Sequence, residues 1–208
     1  MEAHGFPLFE VSARSWEAVS PERFDALLIG SAMAFRFGGR GLAALKGLPV
    51  YAVGETTAAA AREAGFTVFA SGAGSMQVML GELDPAHKRL LRLAGEDRVP
   101  LTLPKGVTME ERVVYASIAQ EMPAELIAIL RSPAIVALHS AEAAHHLSAQ
   151  CVRHGIRRAP LRITALSSRV ATAAGDGWGE VASVPYPEDK ALLALARQMC
   201  QDPWPGAR

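Results

Sequence analysis

The sequence predicts a duplicated α/β protein: two similar domains, each with a parallel sheet, joined by a two-stranded β linker. Three observations predict it. Short apolar runs alternate with Ala-rich stretches of helical length, the pattern of strand, crossover helix and next strand. The runs are continuously apolar, as in sheets covered on both faces. The same strand–turn–helix pattern also recurs at a near-constant offset of about 110 residues.

The elements follow in order. FPLFEV (6–11) reads as a first strand. FDALLIGS (24–31) is a strand ending at Ser31, followed by helical AMAFRFGGRGLAAL, in which GGRG (38–41) reads as a helix end. LPVYAVG (48–54) precedes the helix ETTAAAAREAG, and FTVFASG (66–72) precedes SMQVMLGEL. KRLLRLAG (88–95) and EERVVYASI (110–118) are two further strands. AIVALHS (134–140) then precedes AEAAHHLSAQCVRHG, LRITALS (161–167) precedes SRVATAAGDG, and EVASVP (180–185) precedes EDKALLALARQM.

The repeat shows in three landmarks. Ser31-Ala32-Met33-Ala34 matches Ser140-Ala141-Glu142-Ala143. Thr57-Ala58-Ala59-Ala60 matches Val170-Ala171-Thr172-Ala173, and Gly65-Phe66 matches Gly177-Trp178. Convergent patterning in an Ala-rich chain is the alternative to a duplication. The copies span 24–83 and 133–199. This organisation predicts a continuous first domain over 12–114, a second domain from 1–11 plus 117–208, and linker strands near 6–11 and 111–118.

Composition narrows the function classes. The chain has 208 residues, half of them hydrophobic and a fifth charged, which suits globular folding. Lys+Arg and Asp+Glu both number 21. That balance argues against a nucleic-acid groove or a membrane-surface protein, but not against an anionic ligand held by backbone N–H groups. Cys151 and Cys200 form no CxxC pair and read as reduced thiols. No apolar run reaches ~18 residues, and the start, Met1-Glu2-Ala3-His4-Gly5, lacks the features of a signal peptide. A cytoplasmic protein is the expectation.

Ligands of parallel α/β sheets bind beyond the carboxyl ends of the strands. Four such ends carry small or hydroxyl residues: Gly30-Ser31, Gly54-Glu55-Thr56-Thr57, His139-Ser140 and Ser167-Ser168. Each opens a helix. A Ser or Thr there serves first as an N-cap, contributing ~0.5–2 kcal/mol. Four capped helix starts on two facing domains would also form a ring of N–H donors suited to a polycarboxylate. No GxSxG, HExxH, Walker A or GxGxxG motif is present. His145 and His146 are adjacent on a helix and point to different faces, which argues against a metal site. His139 is the one histidine at a strand end. Arg98, after the Gly95 turn, reads either as a carboxylate partner or as a surface arginine. Tyr115 reads either as an aromatic packed at the domain crossing or as a general acid in the cleft.

Assembled in order, these segments resemble the uroporphyrinogen-III synthase family. PLFEV resembles its first linker strand, and DALLIGSAMAFR its TSxNA strand-to-helix turn. VYAVGETTAAAAREAGF is similar to its VGxxTAxxxxxxGf segment, RLLRLAGEDR to its Leu-Arg-Gly turn, and VVYAS to the strand bearing its tyrosine. ALHSAEAAHHL and ITALSSRVATAAGDGW resemble the second-domain turns. The resemblance covers most of 6–200. It implies cyclisation of the linear tetrapyrrole hydroxymethylbilane to uroporphyrinogen III, with inversion of the last pyrrole ring and loss of water, in haem biosynthesis. It implies no cofactor and no metal. Eight carboxylates on that substrate would suit a ring of N–H donors, and the enzyme's main task would be to hold the chain for inverted closure.

By position, the resemblance assigns Tyr115 as the proton donor to the departing hydroxyl. It matches Thr57 to the family's threonine and Ser31, Ser140 and Ser167 to helix starts that contact carboxylates; Ala32, Gly54, Thr56, Arg98, His139, Ala141 and Ser168, at the same strand ends and turns, are further candidates for substrate binding. Three departures stand out. The family's Thr and Asn are replaced in Gly30-Ser31-Ala32-Met33, and Val170 stands where some relatives carry a hydroxyl. The family's initial strand and helix, which the resemblance places before the PLFEV strand, are expected to be missing here, through a start assigned too late, a rearranged sheet or a gap covered by a neighbouring chain. By the family's layout that strand lies inside the second sheet, so its loss would leave backbone groups unpaired. The expectation is a monomer, or a dimer in which a neighbouring chain covers the gap. Two alternatives stand beside the synthase: a catalytically weak or inactive relative that only binds tetrapyrroles or other polycarboxylates, and a two-domain periplasmic-type binding protein.

Overall fold

The computed structural model describes residues 3–72 and 74–203. The first two residues of the amino terminus read above as lacking a leader fall outside that range. The chain divides into two compact units, one over Val11–Ile118 and one comprising the described residues up to Glu10 and from Ala119 onward.

In the first unit, β1 (Phe9–Ala13) starts just before the boundary. It is followed by β2 (Ala26–Ile29), α1 (Met33–Phe37), β3 (Val50–Val53), α2 (Glu55–Glu63), β4 (Val68–Gly72), α3 (Met76–Leu80), β5 (Arg89–Gly95) and β6 (Thr108–Ala119). The sheet order is β1-β6-β5-β2-β3-β4. The pairs β2–β3, β2–β5, β3–β4 and β5–β6 are all parallel. A parallel sheet carries apolar residues on both faces, and successive residues alternate between them. Leu27, Ile29, Val50, Ala52, Leu91 and Leu93 accordingly enter one core with residues of α1 and α2. Ala26, Leu28, Tyr51 and Leu90 enter a second core on the opposite face with Met79 and Leu80 of α3.

The second unit contains α4 (Ala124–Leu130), β7 (Ala134–Leu138), α5 (Ala141–Arg153), β8 (Leu161–Ala165), α6 (Ser168–Ala174), β9 (Glu180–Ser183) and α7 (Asp189–Gln201). Its three strands pair in parallel in the order β7-β8-β9. Leu161, Ile163 and Ala165 of β8 pack into the core with α5 and α6. The intervening Arg162 is buried; its guanidinium donates to the carbonyls of Met199, Asp202 and Pro203 at the end of α7. Those carbonyls have no intrahelical partner of their own. Among the described residues no helix is long and apolar enough to cross a membrane.

The sequence reading needs several corrections. The first strand begins at Phe9 rather than at Phe6, because Pro7 has no N–H to give a ladder. AMAFRFGGRGLAAL is not one helix: α1 ends at Phe37, and Gly39–Leu45 is a 3-10 helix. Helix α4 was not anticipated.

Asp25 ties the entry of β2 to β5. One carboxylate oxygen accepts from the Lys88 and Arg89 N–H groups at 3.0 and 2.8 Å. The other accepts from Arg89 Nε and Nη2 at 3.1 and 2.6 Å. The Arg89 side-chain bonds outweigh burial and, with the two backbone donors, hold the Asp25 pKa at about 2, below its ordinary 3.8. A depressed carboxylate stabilises the fold fully above its unfolded pKa and ceases to do so as pH falls through the folded one. Asp25→Asn should therefore lower stability near neutral pH by about 1 kcal/mol, a modest figure because water screens the pair. Urea unfolding across pH should show the deficit shrinking between about pH 4 and pH 2. A deficit unchanged at the low end would contradict this role.

Candidate functional site

Three strands of the first unit end on one pocket of about 540 Å³, and a fourth passes beside it. Gly30 and Ser31 follow β2, Val53 closes β3, Leu93-Ala94-Gly95 close β5, and Tyr115 comes from β6. Residues 74–77 at the start of α3 and 97–101 after β5 complete the wall. Its position beyond the carboxyl ends of parallel strands is where backbone N–H groups and side chains converge without a competing ladder. Gln77 joins the two outer segments: its Nε2 donates to the Thr102 carbonyl and its Oε1 accepts from the Thr102 N–H, both at 2.9 Å.

Tyr115 is half-buried, and its phenol lines the pocket. A break in the β5–β6 register between Ala94 and Gly95 sets Gly95 beside Tyr115. A β-carbon on Gly95 would lie 2.7 Å from Tyr115 Cε2 and 2.9 Å from Cζ. The missing side chain is what lets the ring lie against the strand. The Glu96 N–H donates to the Tyr115 carbonyl at 2.9 Å, which fixes the backbone on the other side. Among the described residues no hydrogen-bond partner meets the Tyr115 hydroxyl, so the phenol is free to donate to a ligand.

A charged cluster forms the adjoining wall. Buried Arg92 donates through Nη1 to Glu111 Oε1 at 2.6 Å and to the Val99 carbonyl at 3.0 Å. Arg98 donates through Nε to Glu111 Oε2 at 3.0 Å. Burial alone would raise the Glu111 carboxyl, but the bonds from Arg98 and Arg92 prevail and hold it below the ordinary glutamate value.

Of the residues singled out in the sequence, Ser31, Arg98 and Tyr115 meet in this pocket. Ala32, Gly54, Thr56 and Thr57 lie outside its lining. The second of the four expected hydroxyl caps is absent: α2 is capped by Gly54, whose φ of 80° favours glycine, while Thr56 lies inside the helix and Thr57 is buried there. Ser31 is not the N-cap of α1 either, since Ala32 holds that position, although Ser31 Oγ accepts from the Met33 N–H at 3.2 Å. In the second unit Ser140 and Ser167 are the N-caps of α5 and α6 and accept from the Ala143 and Val170 N–H groups. His139, Ala141 and Ser168 flank them at the same ends of β7 and β8, and His139 Nε2 lies 3.1 Å from Asp189 Oδ1. His146 Nε2 meets the Gln120 carbonyl at 2.7 Å. Sequence reasoning missed Arg92, Glu111, Ser75 and Gln77. The signal for Arg92 was a charge inside an otherwise apolar strand, RLLRLAG.

The first unit is thus a parallel α/β sheet with a pocket at its strand ends. The uroporphyrinogen-III synthase HemD family model matches residues 1–194, and the chain belongs to that family. Its fold is similar to that of a uroporphyrinogen-III synthetase from Helicobacter pylori, with 18% identity over 92% of this chain and 91% of that one and a TM-score of 0.67. A mutant uroporphyrinogen III synthase from the extremely thermophilic bacterium Thermus thermophilus aligns at 16% identity over 95% of this chain and 89% of that one, with a TM-score of 0.50. No curated protein matches the sequence.

The Gly95 contact makes a direct prediction. Gly95→Ala should displace the Tyr115 ring and cost about 1–3 kcal/mol through overpacking. Tyrosine fluorescence cannot isolate one ring beside the chain's tryptophans, so the ring's NMR chemical shifts should be followed. Unmoved Tyr115 resonances would contradict the contact.

Proposed function

We propose that this chain is a uroporphyrinogen-III synthase, a lyase that cyclises hydroxymethylbilane with inversion of the last pyrrole ring and loss of water. The observation that carries the proposal is the Tyr115 phenol, unpartnered among the described residues, beside Ser31 and Arg98 at the strand ends. Family membership supplies the reaction class. The substrate's carboxylates need hydrogen-bond donors and positive charge; its hydroxyl needs a proton to leave as water. Arg98 and the Ser31 turn offer the first. Tyr115 offers the second: the phenol O–H gives its proton to the hydroxyl oxygen as the C–O bond breaks. The electron pair of that bond leaves with the water, and the pyrrole nitrogen lone pair stabilises the carbon left behind. That carbon bonds the already substituted α-carbon of the last ring, the bond from there to its original bridge breaks, the freed bridge carbon bonds the ring's unsubstituted α-carbon, and the proton lost there restores the Tyr115 phenol.

The pocket volume, about 540 Å³, lies within the range of small-molecule sites. It would hold part of a tetrapyrrole, with further carboxylates taken up elsewhere. Ser140, Ser167 and Ser168 at the strand ends of the second unit are the residues proposed for that purpose, together with His139 and Ala141. The Gly54-Thr56-Thr57 turn and Ala32 are proposed for the first unit on the family resemblance.

The test is the product isomer formed from freshly generated hydroxymethylbilane. The chain should yield isomer III faster than spontaneous closure yields isomer I. Tyr115→Phe should slow turnover by about 10- to 100-fold with little change in substrate affinity, as for loss of a general acid where positioning is kept. Isomer I alone from the unsubstituted chain would refute the activity. Full turnover by Tyr115→Phe would remove Tyr115 from the chemistry.

A further inference from the structure

Next to Tyr115 the pocket wall holds an arrangement that proton donation does not use: two arginines share one carboxylate. The β5–β6 register sets Arg92 directly opposite Glu111. The Arg92 side chain is only 6% exposed, and each Glu111 oxygen is engaged by a different guanidinium. Two positive charges thus face one negative charge. Both arginines line the pocket, but the Arg92 side chain is only 6% exposed while that of Arg98 is 30% exposed, so Arg98 offers the larger surface on which solvent or ligand can match the excess.

The bonds of Arg98 also define its posture. Nε is held by Glu111 at 3.0 Å, and Nη1 donates to the Glu96 carbonyl at 3.0 Å. Among the described residues Nη2 is left as the unengaged end of the fork. The surrounding charges do not take it: the Glu96 carboxylate is occupied by Arg14 at 2.9 Å, and the Arg112 side chain is turned to Glu110 and to the Glu111 carbonyl. Asp97 is exposed and lines the same pocket, where its charge opposes an anion on its own side. An untethered arginine would lose rotamer freedom on meeting an anion, whereas one already fixed by a carboxylate has lost it beforehand.

We propose that Glu111 is a positioning residue: it holds Arg98 through Nε so that the outer edge of that guanidinium is presented, preorganised, to one carboxylate of an acidic tetrapyrrole. The proposal rests on the synthase reading for its ligand class, and extends it to a residue that does not itself touch substrate.

Binding of uroporphyrin, an octacarboxylate macrocycle, tests it by fluorescence quenching in four proteins: the unsubstituted chain, Glu111→Gln, Arg98→Ala and the double variant. Glu111→Gln and Arg98→Ala should each weaken binding about tenfold. The double variant should be within about twofold of Arg98→Ala alone, since a residue acting through Arg98 has nothing left to position. In turnover, Glu111→Gln should raise KM about tenfold and leave kcat within about twofold. A general structural role would instead weaken binding equally in both backgrounds, and that result, or undiminished binding by Glu111→Gln, overturns the proposal. Should Glu111→Gln fail to fold, Arg98→Lys decides, because it leaves the Arg92–Glu111 pair in place. An ammonium lacks the fork needed to engage Glu111 and a ligand together, so about tenfold weaker binding is expected; unchanged binding overturns the idea. A chain that binds with the expected coupling but forms only isomer I refutes the activity and leaves this proposal standing. No binding by the unsubstituted chain overturns the proposal whatever the isomer formed.

Discussion

The pairing of β5 with β6 is the constraint on which the rest of the site depends. Its parallel register places Arg92 opposite Glu111, and the slip between Ala94 and Gly95 places Gly95 beside Tyr115. The first arrangement builds the charged wall and the second seats the phenol. Both follow from backbone hydrogen bonding that local side chains alone do not determine, which is why a register error of one residue would turn the cluster to the opposite face.

Burying Arg92 in this position is costly unless its charge is met. A guanidinium without partners in a low-dielectric interior would destabilise the sheet, and a buried pair is as sensitive to the loss of one member as it is modest in net worth. Glu111 and the Val99 carbonyl meet the charge at Nη1, while the buried Nε has no hydrogen-bond partner among the described residues. The same contacts fix the segment after β5, so the stability of the strand pair and the shape of the pocket wall are properties of one set of bonds. The Gln77–Thr102 clasp extends this to α3 and leaves the pocket framed on both sides by hydrogen-bonded segments.

Much of the fold was legible in the sequence because buried parallel strands are short, apolar and bounded by Gly or Ser. β2 and β3 are of this kind, and β5 and β8 are so apart from their arginines and Thr164. Helix α4 was not, because AELIAIL is seven largely apolar residues, and over so short a run helical and strand periodicities cannot be told apart. Ser31, Arg98 and Tyr115 were singled out from the sequence, and all three line one pocket. Arg92 and Glu111 were not singled out, since a charge within a strand shows its partner only once the register is known. The turn at Gly54 misled for a different reason: a glycine with positive φ starts α2, and the hydroxyls of Thr56 and Thr57 that suggested a cap fall inside the helix.

On the proposed function, ligand binds beyond the carboxyl ends of β2 and β5, beside Tyr115 of β6 and Arg98. Amide hydrogen exchange with and without uroporphyrin tests it most directly, because it reads the backbone position by position. The account predicts slowed exchange in the segments around Gly30–Met33 and Gly95–Leu101, with the amino-terminal ends of the same strands, near Arg89 and Thr108, unchanged. Protection confined to those amino-terminal ends, or no protection around Gly95–Leu101 at saturating ligand, would contradict it.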